Sequence, residues 1–166
     1  MEQQTITPLT HLEQQTITAI THMEDELTEI KARILERIGG ELTADTMPLL
    51  STDETTLLAY CIFRDEVMDG GLVQLIYNGY GPFIFLNPFA KAMRLWGMKD
   101  FSKLIYEGRS FYEAHHTEIE HEMSDDDFMA LFEQYPEADD FDDTFIEHEE
   151  EISLQVLEKA KELLLS

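Results

Sequence analysis

Between Ser110 and Glu158 the chain carries 18 Asp or Glu and no Lys or Arg. Carboxylates in such numbers can hold metal ions or meet a cationic surface. The best metal pattern is Glu113-x-x-His116 with Glu118-x-x-His121. Di-iron bundles use Glu-x-x-His, but on two different helices. Here the two copies are five residues apart, about 140° around one helix, so they cannot share an ion within one chain. A metal-binding role for His115, His116 and His121 is therefore an alternative reading, and no metal or other cofactor is the expectation. Asp125-Asp126-Asp127 and Asp139 to Asp143 lack the Gly and the spaced Glu of an EF-hand loop. There is no phosphate loop, no Gly-x-Ser-x-Gly and no His-Glu-x-x-His, so no enzyme class is indicated.

The whole chain has 166 residues and a net charge of −24. That surface repels nucleic acid and anionic membrane and attracts cations. The charge is also polarised. Residues Met1 to Ile30 hold six acids and no Lys or Arg, while the one basic stretch is Lys91 to Arg109. Exposed helices ordinarily mix signs for i,i+4 pairing, so a surface without cations implies a cationic partner. If residues 110–158 were all helical they would span ~75 Å, one acid per ~4 Å. A DNA strand carries one phosphate per ~3.4 Å of axis.

The elements that must position these acids read as helices. Glu2 to His11 recurs almost unchanged as Glu13 to His22, a tandem repeat of period 11 that preserves a helical face. Residues 1–22 are read as a duplicated extension leading into the first helix, with Pro8 in a first helical turn, and residues 23–166 as one domain. From Glu13 the apolar positions Ile17, Ile20, Met23, Leu27, Ile30, Ile34 and Ile38 follow helical spacing, and Gly39-Gly40 ends the run. Ser51 to Glu54 is a capping box opening a second long helix. Asn87 caps a helix reaching Trp96, another spans about Lys99 to Glu122, and Ser124 caps the next, which stops at Tyr135-Pro136. The last helix is expected to start near Asp142, with Asp142 and Asp143 favouring its dipole as Asp125 to Asp127 favour theirs. Only Phe83 to Leu86 could be a strand. Leu72, Leu75, Ile76, Tyr80, Phe83, Phe85, Phe89 and Trp96 are expected in the core or a dimer contact, and Cys61 as a buried thiol. The fold class is all-α: one compact domain of six or seven helices without a substantial sheet. The start has no basic, apolar leader and no run is long enough to span a membrane, so a cytoplasmic protein is expected.

The segment Asp69-Gly70-Gly71-Leu72-Val73-Gln74-Leu75-Ile76-Tyr77-Asn78-Gly79-Tyr80-Gly81 resembles the central motif of a bacterial family first catalogued as a domain of unknown function, which includes the DMP-type DNA mimic proteins. The resemblance implies a small acidic homodimer that covers the DNA-binding surface of a protein, expected to be a helix-turn-helix transcription factor, and keeps it off its operator. It binds no nucleic acid and no membrane itself. The motif residues read as structural: Gly70 and Gly71 for close helix approach, Gln74 and Asn78 for buried hydrogen bonds and capping. The phosphate-like array is assigned to Asp125, Asp126, Asp127, Asp139, Asp140, Asp142, Asp143, Glu147, Glu150 and Glu151. Glu24, Asp25, Glu26 and Glu29 form a second patch. An acidic adaptor that binds a basic protein without displacing DNA is the other alternative.

Overall fold

A computed structural model describes residues 7–165, and the side chains of residues 7–164. Seven α-helices follow in order among the described residues: α1 (His11–Arg37), α2 (Thr52–Tyr77), α3 (Gly81–Phe85), α4 (Phe89–Leu95), α5 (Lys99–Ile119), α6 (Asp125–Gln134) and α7 (Pro136–Leu165), with a 3₁₀ turn at Met47–Leu49. No strand occurs among them. The all-α expectation holds. Phe83 to Leu86 belongs to α3 and its C-cap, because Pro82 lies at a helix start, where its missing N–H costs nothing. No helix among the described residues is long and apolar enough to cross a membrane.

Local chemistry sets the boundaries. Ser51 Oγ accepts from the Glu54 amide at 3.1 Å while Glu54 accepts from the Ser51 amide at 3.0 Å, the reciprocal box expected there. Thr10 and Glu13 make the same exchange at the start of α1. The helix therefore opens at His11, the last residue of the first repeat copy. Pro8 precedes it rather than lying in its first turn, and residues 1–6 fall outside the described region. At the other end Gly40 N–H reaches Leu35 O at 2.7 Å and Gly39 N–H reaches Glu36 O at 3.2 Å, with Gly39 at φ 99°. That is a Schellman stop. The N-cap of α4 is Pro88 rather than the Asn87 expected, and Asn87, one residue earlier, accepts from the Phe89 amide at 2.8 Å in the turn leading into the helix. α5 ends at Ile119, a turn short of Glu122.

The largest departure is α7. It starts at Pro136, two turns before Asp142. Proline suits a first helical position as well as it stops a preceding helix, and here it does both. Only Tyr135 separates α6 from α7. Asp142 and Asp143 are thus interior residues, and the acids near the α7 dipole are Glu137 and Asp139.

The core gathers around α2, which packs against α1, α5 and α7. Every residue from Leu57 to Phe63 is buried. Phe63 meets Phe89 of α4, Phe101 of α5 and Phe145 of α7, with ring centroids 6.2, 5.5 and 4.8 Å away. Cys61 is buried in this core, and burial pushes its thiol up to about 12, so it stays a protonated hydrophobe. Leu72, Leu75, Ile76, Phe83, Phe85 and Phe89 are buried inside the single chain, and Tyr80 and Trp96 pack on them. The six buried residues are core, and Tyr80 and Trp96 are half-buried at its edge.

One polar network crosses this core. Arg64 of α2 donates to Glu149 of α7 at 2.5 Å and to Glu24 of α1 at 3.0 Å. Ser153 donates to the same Glu149 oxygen at 2.8 Å, and Tyr60 hydrogen-bonds Ser153 at 2.6 Å. The network ties three helices in one register.

α2 kinks at Gly71, where φ is 87° and ψ −173°. The Leu72 amide, released from the helical ladder, donates to Asp142 Oδ1 at 2.8 Å. A Cβ on Gly71 would overlap the Asp142 carboxylate, so glycine is what lets α7 approach. Gly70 differs: its missing Cβ leaves room for the Gln74 amide of its own helix, not for another helix. That amide donates to Glu66 and Asp69 at 3.1 and 2.9 Å, and Asn78 donates to Glu66 at 2.9 Å. Gln74 is half-buried and Asn78 exposed. Their bonds brace the outer side of the kink, so they are not the buried bonds expected, although Asn78 does cap α2. Gly71→Ala is expected to cost about 2–4 kcal/mol from backbone strain and the clash with Asp142 together, measured as a lowered urea midpoint. Gly79→Ala, also at positive φ but with open space around it, should cost less.

Candidate functional site

The buried face of α7 fixes where its acids point. Ala138, Phe141, Phe145, Glu149, Ile152, Val156 and Ala160 are turned inward. Asp139, Asp140, Asp143, Glu147, Glu150 and Glu151 are all exposed. At 100° per residue these six fall in an arc of about 120° opposite the buried one. From Asp139 to Glu151 is about 18 Å of helix axis, one carboxylate per roughly 3–4 Å, against ~3.4 Å per phosphate on one DNA strand. Among the described residues none of the six has an ion-pair partner. Glu158 extends the same arc and is exposed. Exposed Ile146 and Leu154 lie beside the acids. Sequence reading left out all three, although they lie within the helix expected from Asp142 onward and the phase of Phe145, Ile152 and Val156 turns them outward.

Asp125, Asp126 and Asp127 are exposed at the first turn of α6, where Ser124 Oγ accepts from the Asp127 amide at 3.2 Å. α6 is ten residues long, so this trio stands about 15 Å along α6 from the joint with α7. It is a second cluster, not part of the α7 row.

Asp142 departs from its neighbours. It points inward to the Leu72 amide. Burial, set against that hydrogen bond and reinforced by Asp139 and Asp143, pushes its carboxyl up to about 7. It belongs to the kink in α2, not to the surface row. An acid whose folded pKa is raised stabilises the fold at low pH and loses that contribution as pH climbs from about 4 to 7. Asp142→Asn should therefore match the parent near pH 3.5, below both pKa values, and exceed it at pH 8 by about 1–2 kcal/mol, discounted for partial solvent screening. Chemical unfolding at the two pH values measures the difference.

The α1 patch is largely committed elsewhere. Glu24 pairs with Arg64 at 3.0 Å, Glu29 with Arg33 at 2.5 Å, and Glu26 with His22 and Lys161 at 3.0 and 3.5 Å. Of the four only Asp25 has no ion-pair partner among the described residues.

The three histidines of the metal reading lie among other side chains, and the buried His115 Nδ1 has no hydrogen-bond partner among the described residues. His115 lies between the Phe111 and Tyr135 rings, with centroids 4.8 and 4.9 Å away, and Glu118 and Glu137 each approach it at 3.5 Å. His116 stacks on Tyr112 and meets Glu120 at 3.2 Å. His121 lies 3.0 Å from the Glu122 carbonyl. No group of three metal-ligating side chains converges among the described residues.

A family model described as DMP19-like protein matches residues 48–163, more than half of the chain. The chain belongs to the DMP19-like family. The match runs from just before α2 to within two residues of the end of α7, so it contains the glycine motif, the kink and the acidic row, and it leaves out α1. Within the family, the chain is 37% identical over 109 residues to the DNA mimic protein DMP19 of Neisseria meningitidis serogroup B. That alignment covers 64% of this chain and 66%, just under two thirds, of the relative.

Proposed function

We propose that this chain is a DNA mimic: it occupies the DNA-binding surface of a cationic protein and so excludes DNA. The observation that carries the reading is the row of six carboxylates on one arc of α7, without ion-pair partners among the described residues and spaced along the axis as phosphates are along a strand. Arg and Lys side chains built to grip a backbone would meet carboxylate oxygens instead. Such contacts position a protein without reading sequence, so a mimic needs charge spacing and no bases. The 37% identity to a protein named as a DNA mimic supports the same reading. The trio on α6 is a second contact, and Asp25 the remaining free acid of α1. Asp142, Glu24, Glu26 and Glu29 take no direct part.

The partner is a helix-turn-helix transcription factor in the cytoplasm, and the mimic acts as a homodimer. A two-fold pair would offer two rows to a regulator whose recognition helices are about 34 Å apart. The reading is tested by passing lysate over the immobilised chain at low salt and eluting with duplex DNA. Release of a DNA-binding protein by free DNA supports mimicry. A captured protein that keeps its DNA while bound would make the chain an adaptor.

A further inference from the structure

A groove runs between α5 and α7 along one edge of the acidic row. It opens as two cavities, of about 710 and 440 Å³, that meet at Glu107 of α5 and Thr144 of α7. The larger reaches Lys99 and Gln155, and the smaller reaches Ala114 and Glu137, so the two helices lie antiparallel along it. From Glu137 to Gln155 is about 27 Å of helix axis. The floor is apolar and packed: Phe101, Leu104 and Ile152 under one end, Phe111 and Phe141 under the other. Both lips carry exposed carboxylates, Glu107 from α5 and Asp140 and Glu151 from α7. Glu107, like the other two, has no ion-pair partner among the described residues.

The major groove of DNA has the same plan, base edges below and phosphates on both sides, and it admits an α-helix. The row on α7 alone imitates one strand, and the groove adds a second lip and a floor. Its length takes a helix of about five turns. The charge along it is graded. At the Gln155 end Lys99 and Lys103 offset Asp100 and Glu151, whereas the other end holds Glu107, Glu137 and Asp140 and no Lys or Arg. The dipoles of the antiparallel α5 and α7 oppose each other, so side chains set this gradient. A helix carries its positive pole at the N-terminus, which suits the Asp140 end. Recognition helices also meet DNA through their N-terminal residues.

We infer that the groove between α5 and α7 seats the recognition helix of the DNA-binding partner in place of the major groove, with the N-terminus of that helix toward Asp140. The inference rests on the mimic reading above and adds a shape to its charge.

Photocrosslinking tests it. Thr144 and Gln155 line the groove, are exposed and do not belong to the acidic row. Thr144→Cys and Gln155→Cys, each labelled with a thiol-reactive benzophenone, place the probe at the middle and at one end, and the buried Cys61 does not compete for the label. The bound protein is the one that duplex DNA releases in the lysate test. Both adducts should fall in one helix, the one whose amide exchange slows when that protein binds duplex DNA, with the Gln155 adduct nearer its C-terminus. Thr144→Trp fills the junction of the two cavities without altering charge. It should weaken capture at least about tenfold and leave the slope of affinity against salt unchanged. Adducts elsewhere on the bound protein, or none, overturn the groove and leave charge mimicry standing. So does a Thr144→Trp chain, folded by circular dichroism, that binds as the parent does. A parent that captures nothing released by DNA overturns the mimic reading and this assignment with it.

Discussion

Asp139→Lys, Asp140→Lys, Asp143→Lys and Glu147→Lys together should weaken the chain's hold on its DNA-binding partner by about 10³-fold or more. Two unit charges 4 Å apart attract by about 1 kcal/mol in water. Reversal removes four attractions and adds four repulsions, roughly 8 kcal/mol before screening and about half of that after it. Each 1.4 kcal/mol is a factor of ten. The neutral set, with Asn and Gln at the same positions, only removes the attractions and should lose about 30- to 100-fold. Neither set touches an internal bond of those side chains, so helicity should be unchanged. A competition gel shift with operator DNA reads the loss. A folded quadruple variant that displaced DNA at the parent's concentration would remove α7 from the contact.

Glu149→Ala should destabilise the fold by about 3–5 kcal/mol, the usual effect of leaving one partner of a buried ion pair behind. Glu149 is 5% exposed and accepts from both Arg64 and Ser153. Removing it strands the Arg64 guanidinium and breaks the chain of bonds to Tyr60. Small domains are stable by only about 5–15 kcal/mol, so the variant should be close to its unfolding limit at body temperature. Glu150→Gln, one residue on, should change stability by less than about 0.5 kcal/mol, because Glu150 is exposed and has no ion-pair partner among the described residues. Urea unfolding of the two variants side by side gives the contrast. Equal midpoints would mean that the Arg64 network contributes little.

That contrast marks the limit of what was legible before the structure. Signals contained within a few residues read correctly: the Ser51–Glu54 box, the Gly39-Gly40 stop, the Ser124 cap and the buried Cys61. Pro136 did not, because a proline after a helix reads equally as an end and as a beginning. The error had a cost in the site. With α7 begun at Asp142, the run from Asp139 to Asp143 has no helical phase, and all four acids look alike. Begun at Pro136, Asp142 falls on the side of Phe141 and Phe145 and separates from Asp139, Asp140 and Asp143. The partners that decide the rest are far away in sequence. Arg64 and Glu149 are 85 residues apart, and Leu72 and Asp142 are 70 apart. No local pattern links such pairs. The acidity of the C-terminal half was plain from composition, but which carboxylates are free and which are spent on the scaffold was not.

The unpaired row on α7 also governs the ions around it. Six fixed anions with no cation among them gather mobile cations, as a nucleic acid does. A docking partner expels that cloud, and the released ions favour association through their entropy. Divalent ions hold to such a row more tightly than monovalent ones. At equal ionic strength, magnesium therefore competes with the partner more strongly than sodium does, and the magnesium level of the surroundings sets how tight a partner's grip must be.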